Sequence, residues 1–412
     1  MPGELKTSQE LKMSRELKRR IASHRREMLE FARQLISIPT ENPPGKGAEK
    51  CAGVLRDRLR RIGFPIEPKT PGGSVRSFYG RGKPTLYFHG HFDVVPAASP
   101  AQFQPAIRAG KLFGRGSSDM KSGLVAMIYA VRAIQECNLK LDGRIALTFV
   151  ADEETGGARG SQALMDHGLI EKDAAGMLTP EPTGGVVWNA SRGAVSLRVT
   201  LKGKAAHVGL AHAGCNAFEA MLTAAQELME MKARIAGRKT RYSIRPGAAR
   251  HSILLLGGQC HGGTNFNTVP AECSFTIDRR TNPEEDLAAE NRRLFEIFSR
   301  LKRGGMDLEV ELLQQGEPSA TPRSNELSRA LASAVRQVTR KAPRFEMCPG
   351  LLETRFYSRF GVPALAYGPG LLSVSHGPAE FVPVRNIFDC ALVYALTAVK
   401  VLSAYPGHLK ED

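Results

Sequence analysis

The sequence lacks several features that would fix its class at once. No apolar run approaches the length needed to cross a membrane, and the first residues are charged, with no apolar stretch of a secretory leader. The seven cysteines (51, 137, 215, 260, 273, 348 and 390) lie far apart, odd in number and without CxxC spacing. That argues against a disulfide framework or a cysteine zinc site, and for a reducing cytoplasm. No nucleic-acid motif appears. The 57 Lys and Arg against 41 Asp and Glu give +16, but the basic residues are scattered rather than striped with aromatics. The charge therefore points to anionic substrates or to solubility, and neither a nucleic acid nor a membrane is expected as a partner.

With 42% hydrophobic and 24% charged residues the composition is that of an ordinary globular protein. At 412 residues the chain is too long for one core, so two domains are expected. The N-terminus repeats Glu-Leu-Lys at 4–6, 10–12 and 16–18. That six-residue step drifts around a helix, which predicts a frayed or surface helix merging into an amphipathic one near Met28–Leu35. Pro39, Pro43 and Pro44 end it.

From Pro84 to Thr183 the pattern alternates. Thr85–Phe88 reads as a strand, Gly123–Ile134 as a helix, Ile145–Val150 as a buried strand and Gly176–Thr179 as another. The stretch from Ser191 to Gln315 reads as strand 196–201, helix 216–231, strands 252–256 and 272–278, helix 284–302 and strand 307–313. That βαββαβ order is a ferredoxin-like unit. A helix (325–339) and a strand (364–367) then resume the first pattern. The expected fold class is α/β: a discontinuous catalytic domain with a mixed sheet (1–190 and 316–412), interrupted by an inserted ferredoxin-like lid (191–315).

Five clusters of metal-ligand types are spread along the chain: His91 and Asp93, Asp119, Glu153 and Glu154, Glu181, and His376. Most follow the C-terminal ends of expected strands, the edge where α/β sheets build sites. Each alone has a bland reading. His91-x-Asp93 can be a turn, although the pair suits a ligand whose other ring nitrogen is held by a carboxylate. Asp119 can be an N-cap, although a carboxylate can bridge two cations. Glu153 and Glu154 repel unless a cation or proton intervenes, and their neighbour Asp152 adds to that. A lone loop histidine such as His376 is more often a surface residue. His89 is expected to be structural. Imidazoles mixed with carboxylates suit zinc or a similar ion better than calcium or magnesium.

Taken in order, the motifs resemble the M20 family of metallopeptidases and deacylases, the group of acetylornithine deacetylase, succinyl-diaminopimelate desuccinylase, aminoacylase and glutamate carboxypeptidase. The resemblance runs from Ile38-Pro39-Thr40-Glu41-Asn42-Pro43 to Phe381-Val382-Pro383. It includes Gly203-Lys204-Ala205-Ala206-His207, Asn267-Thr268-Val269-Pro270 and Asp278-Arg279-Arg280-Thr281-Asn282-Pro283. It implies two divalent metal ions, zinc with cobalt or manganese as alternatives. His91 and Glu181 would hold one ion, Glu154 and His376 the other, and Asp119 would bridge. Asp93 would orient His91, and Glu153 would be the general base. The lid would form a homodimer, with His207 reaching a substrate carbonyl in the facing subunit. Asn267, Arg280 and the turn beginning at Gly368 would meet polar groups of the substrate.

Ser122, Phe103 and Glu353-Thr354-Arg355 depart from the family's usual Gly, Trp and Asp-x-Arg. None is a ligand, so they bear on substrate choice. The implied activity is amide hydrolysis of an N-acyl amino acid or related small carboxylate-bearing substrate. A carboxypeptidase or dipeptidase would use the same site. A non-catalytic binding protein on this fold is the alternative of another class, and it would be expected to have lost Glu153 or a ligand.

Overall fold

A computed structural model describes residues 2–403. The chain divides into two compact units. One comprises residues up to Asn189, Thr321–Phe345 and the chain from Phe356 on; the other comprises Ala190–Ala320 and Glu346–Arg355.

In the first unit a mixed sheet runs in the order Val75–Arg81, Gly143–Val150, Thr85–His91, Gly176–Thr179, Ala364–Ala366 and Val187–Ser191. The four strands from 143–150 to 364–366 are parallel to one another, and the outer strands are antiparallel. The 85–91 strand is buried at every position, and 143–150 at all but one. Continuous apolar runs of this kind suit parallel strands covered on both faces. Helices Lys121–Glu136 and Val384–Leu402 are likewise buried around most of their circumference, and they pack on one another. Because the parallel strands share one direction, the loops leaving their C-terminal ends meet along one edge.

The N-terminal helix corrects an expectation. It runs Pro2–Ser23 and is not merely a surface element: Leu17 and Ile21 are 0% and 3% exposed and belong to the main core, with Met13 packed beside them. Spacing of four residues puts all three on one face. Leu11, from the second Glu-Leu-Lys repeat, is exposed, and the side chains of the first repeat lie outside the described residues. The helix also stops at His24 before Arg25–Ile36 begins, rather than running on.

The second unit holds a four-stranded antiparallel sheet in the order Leu308–Gly316, Gly193–Lys202, Glu272–Thr281, Ile253–Gly262. Helices Ala217–Ile235 and Leu287–Arg303 cover it. Strict alternation of burial along 195–202 and 272–281 shows one covered face. Asn216 and Asp286 cap the two helices by accepting the N–H groups of Phe218 and Ala289. The chain order of strands and helices is βαββαβ, as the sequence pattern predicts. All seven cysteines are free thiols, and no described helix is long and apolar enough to cross a membrane.

Candidate active site

The parallel sheet edge gathers the candidate ligands of the first unit. His91 ends the 85–91 strand. Glu153 and Glu154 open a single turn, Glu153–Thr155, after the 143–150 strand. Glu181 lies two residues past the 176–179 strand, and His376 follows the 364–366 strand through a loop. Asp119 lies two residues before the 121–136 helix. Met120 is the capping residue, and no side chain caps that helix, so the N-cap reading of Asp119 fails.

The Asp119 carboxylate instead faces two imidazoles. Its Oδ1 is 3.2 Å from His91 Nε2, and its Oδ2 is 3.5 Å from His376 Nε2. His376 Nε2 is also 3.4 Å from Glu154 Oε1. Ligand atoms of His91, Asp119 and Glu181 lie within 4.8 Å of one another, and so do those of Asp119, Glu154 and His376. The two triads share Asp119. A third grouping at the same spacing, His91 with Glu153 and Glu154, places Glu153 beside both.

The surroundings of Asp93 explain how this is held. His91 Nδ1 donates to the Asp93 backbone carbonyl at 3.0 Å, with the Asp93 carboxylate 3.4 Å away. That orients the ring and leaves Nε2 facing Asp119. The Asp93 carboxylate in turn accepts the backbone N–H groups of Glu153 and Glu154 at 3.2 and 3.1 Å. Asn42 Nδ2 donates to it at 3.0 Å. One buried carboxylate thus ties the first histidine to the turn bearing both glutamates. Asn42 stands in a stretch of sequence that gives no chemical hint of this role.

Five carboxylates and two imidazoles converge here, and most are buried: His91 and Asp93 are 1% exposed and Glu181 is 5%. The His376 side chain, 51% exposed, opens the cluster to solvent. Without cations the balance of charge is visible in the proton affinities. Burial opposes the charged form of His91, but the carboxylates of Asp119 and Asp93 outweigh it and hold its pKa well above the ordinary value. Asp119 and Glu154 push His376 up to about 10. Burial would raise Asp119, yet the two imidazoles pull it below the usual carboxylate range. Two divalent cations would replace those protons and offset four of the five carboxylate charges. The donor set therefore fits a pair of ions of the zinc type.

His376 has φ 64°, in the left-handed region that few non-glycine residues occupy. Gly368 packs its backbone on the Glu181 turn, where a Cβ would stand 2.2 Å from the Pro180 carbonyl oxygen and 2.3 Å from that of Glu181. It supports a candidate ligand through close approach. His89, fully buried, bonds to Ser161 and Tyr357 at 3.0 Å each.

The other expected substrate residues belong to the second unit. His207 is exposed and forms a β-bridge with Thr268, while Val208 N–H donates to the Asn267 carbonyl at 2.9 Å. His207 and Asn267 therefore share one pair of bridged loops. Arg280 forks onto Asp278, Nε to Oδ1 at 2.8 Å and Nη2 to Oδ2 at 2.9 Å, so a substrate carboxylate would have to share its guanidinium.

Residues 87–400 match the Peptidase family M20/M25/M40. The chain belongs to this family. It is 29% identical over 393 residues to succinyl-diaminopimelate desuccinylase of Nitrosomonas europaea, covering 91% of this chain and 98% of the relative. An M20 family metallo-carboxypeptidase from Sulfolobus solfataricus superposes with a TM-score of 0.77 at 17% identity, over 92% of this chain and 100% of that one. A dinuclear metal binding peptidase of the same family from Bacillus subtilis gives 0.68 at 14% identity, over 93% and 100%. The chain is thus a hydrolase of the M20 type.

Proposed function

We propose that this hydrolase is a dinuclear amidohydrolase that removes the acyl group from N-acyl amino acids carrying free carboxylates. The observation that carries the reading is the pair of ligand triads sharing Asp119, with Glu153 beside them. His91 and Glu181 would hold one ion, Glu154 and His376 the other, and Asp119 would bridge. Zinc is favoured, with cobalt or manganese as alternatives. When bound, two such ions favour ionisation of water near neutral pH and polarise the scissile carbonyl.

Glu153 accepts the proton of the attacking water and returns it to the leaving amine. Asp93 keeps His91 in the ligating tautomer. His207 is proposed as a donor to the oxyanion, with Asn267 and Arg280 as contacts to polar groups of the substrate. The shared loop pair of His207 and Asn267 supports that assignment. The desuccinylase relative favours deacylation over peptide cleavage. A homodimer is proposed through the free edge strand 253–262 and the neighbouring helix 217–235. Both expose apolar side chains: Ile253, Leu255, Phe218, Leu222 and Met229. Sedimentation showing a monomer at micromolar concentration would remove the dimer.

Glu153→Gln tests the chemistry. The amide cannot take a proton, so this variant should keep two ions per chain and lose turnover. Turnover within a few-fold of wild type removes Glu153 as base. Loss of an ion would instead make it a ligand in the grouping with His91 and Glu154. A screen of N-acyl amino acids beside dipeptides, following amine release, separates deacylase from peptidase.

A further inference from the structure

Glu380 is a carboxylate that the proposed chemistry leaves unused, yet it is 2% exposed. Its Oε1 accepts the backbone N–H groups of Ser118 and Asp119 at 2.9 and 3.1 Å. Its Oε2 accepts from Arg115 Nη1 at 2.5 Å. Arg115 is equally buried, and its Nη2 donates to the His376 carbonyl at 3.1 Å. The backbone adds one more tie, from Gly114 N–H to the Glu380 carbonyl at 3.0 Å. One ion pair thus joins the turn that carries Asp119 to the loop that carries His376, 261 residues on from Arg115.

Stability alone is a poor account of this pair. Well-packed apolar residues of similar volume often serve a core as well as a buried ion pair does. Apolar groups cannot accept two neighbouring N–H groups or grip a carbonyl. Both gripped places need holding. Asp119 must aim its two oxygens at different imidazoles, and His376 must keep a backbone conformation that few residues occupy.

We infer that Glu380, acting through Arg115, is a positioning residue. It sets the Asp119 carboxylate and the His376 imidazole at the spacing that a pair of cations requires. The inference rests on the dinuclear reading above. It predicts that the pair governs metal affinity beyond any loss of folding stability, and that its effect falls hardest on the ion held by Asp119, Glu154 and His376, the triad that contains both gripped groups.

The test measures zinc binding to the full chain by competition with a chelator, beside thermal unfolding of the metal-free protein. Glu380→Gln should lower the affinity of the ion shared with His376 by about 10–100-fold, and that of the other by less, the usual effect of removing a group that orients ligands. Glu380→Gln also breaks a buried pair, so metal-free stability falls as well; Glu290→Gln, which breaks the buried pair with Arg279 in the second unit, controls for that loss and should bind both ions with wild-type affinity. Arg115→Lys keeps the positive charge but loses the fork, so it should show the same selective loss; it carries the test if Glu380→Gln does not fold. The double variant should lose less than the sum of the two single losses, because the residues share the Arg115–Glu380 bond while each keeps its own grip, Glu380 on Ser118 and Asp119 and Arg115 on His376. Two ions bound by Glu380→Gln with wild-type affinity would overturn the inference, as would an equal loss of affinity in Glu290→Gln. Fewer than two ions in the wild type would overturn the dinuclear reading itself, and this inference with it.

Discussion

Replacing Asp119 should cost both ions, whereas replacing His376 should cost one. Asp119 supplies an oxygen to each triad, and His376 belongs to one triad only. Zinc in a four-ligand protein site is worth roughly 10–16 kcal/mol, so a single ligand carries roughly 2.5–4 kcal/mol, or about 10²–10³-fold in affinity. Asp119→Ala should therefore weaken both positions by that factor, and His376→Ala only the position it shares with Glu154. The assay is metal content after dialysis against zinc buffers, at a free concentration about tenfold above what half-fills the weaker wild-type position. At that setting Asp119→Ala should hold almost none and His376→Ala about one ion per chain. Glu181→Ala should mirror His376→Ala by losing the other ion. Equal loss of a single ion in Asp119→Ala and His376→Ala would refute the bridge and make Asp119 an ordinary ligand.

Gly368→Ala should also weaken zinc binding, because its Cβ collides with the backbone of Pro180 and Glu181; Gly237→Ala, which meets nothing within 4 Å, is the control. Equal zinc affinities in the two would show that the Glu181 turn can move without harm. His207→Ala should keep both ions and lower kcat by roughly 10²–10³, the effect of deleting an oxyanion donor, and a near-silent variant would place His207 outside catalysis. In the second unit, Arg279 is fully buried with Glu290 Oε2 at 2.7 Å and Glu285 beside it. Burial opposes the charge on Glu290, but Arg279 and Arg238 outweigh it and lower its pKa; burial opposes Glu285 too, and the Asn282 N–H and the Ser252 hydroxyl, with Arg238 and Arg279 behind them, lower its pKa. With the folded pKa below the unfolded one, these carboxylates stabilise the protein above the unfolded value of about 4.3, and that gain is lost as pH falls through the folded value. Glu290→Gln should cost about 3 kcal/mol at pH 7, the low end for breaking a buried pair because Glu285 remains, and should flatten the acid limb of unfolding temperature against pH. An unchanged acid limb would count against the network.

Much of the fold was legible because the informative strands are apolar runs that end abruptly in ligand types. Thr85–His91 and Gly143–Val150 are buried and flanked by turns, so their lengths and ends stand out. The second unit was legible because stretches 195–202 and 272–281 bury alternate residues and its helices begin at Asn216 and Asp286. Other elements gave no such signal. Val75–Arg81 has a full strand partner on one side and a single bridge, Ser77 to Ile66, on the other, and it reads Val-Arg-Ser-Phe-Tyr-Gly-Arg, too polar to declare itself. Val384–Leu402 is buried around most of its surface, which erases the helical period. In the N-terminal helix the contact lies on Met13, Leu17 and Ile21, which the six-residue repeat of Glu-Leu-Lys obscures.

The site divides along a similar line. Metal-ligand types are few and chemically distinctive, so His91, Asp119, Glu154, Glu181 and His376 stand out even when they are far apart. The groups that aim them are ordinary polar residues whose partners lie elsewhere in the chain. Asn42 meets Asp93, 51 residues away, and Glu380 meets Arg115, 265 residues away. Nothing local in the sequence marks either pair, since only folding brings the partners together. Yet the geometry depends on them: one buried carboxylate, Asp93, takes the N–H groups of both candidate glutamates, and another, Glu380, takes that of Asp119. In each case a buried carboxylate accepts backbone N–H groups beside one side-chain donor, Asn42 or Arg115, and so fixes the backbone from which the candidate ligands project. That is an economical way to hold repelling carboxylates at metal distance before any ion arrives. It also means that substitutions at these supports should act on metal affinity, and at Asp93 also on the placing of Glu153, the proposed base.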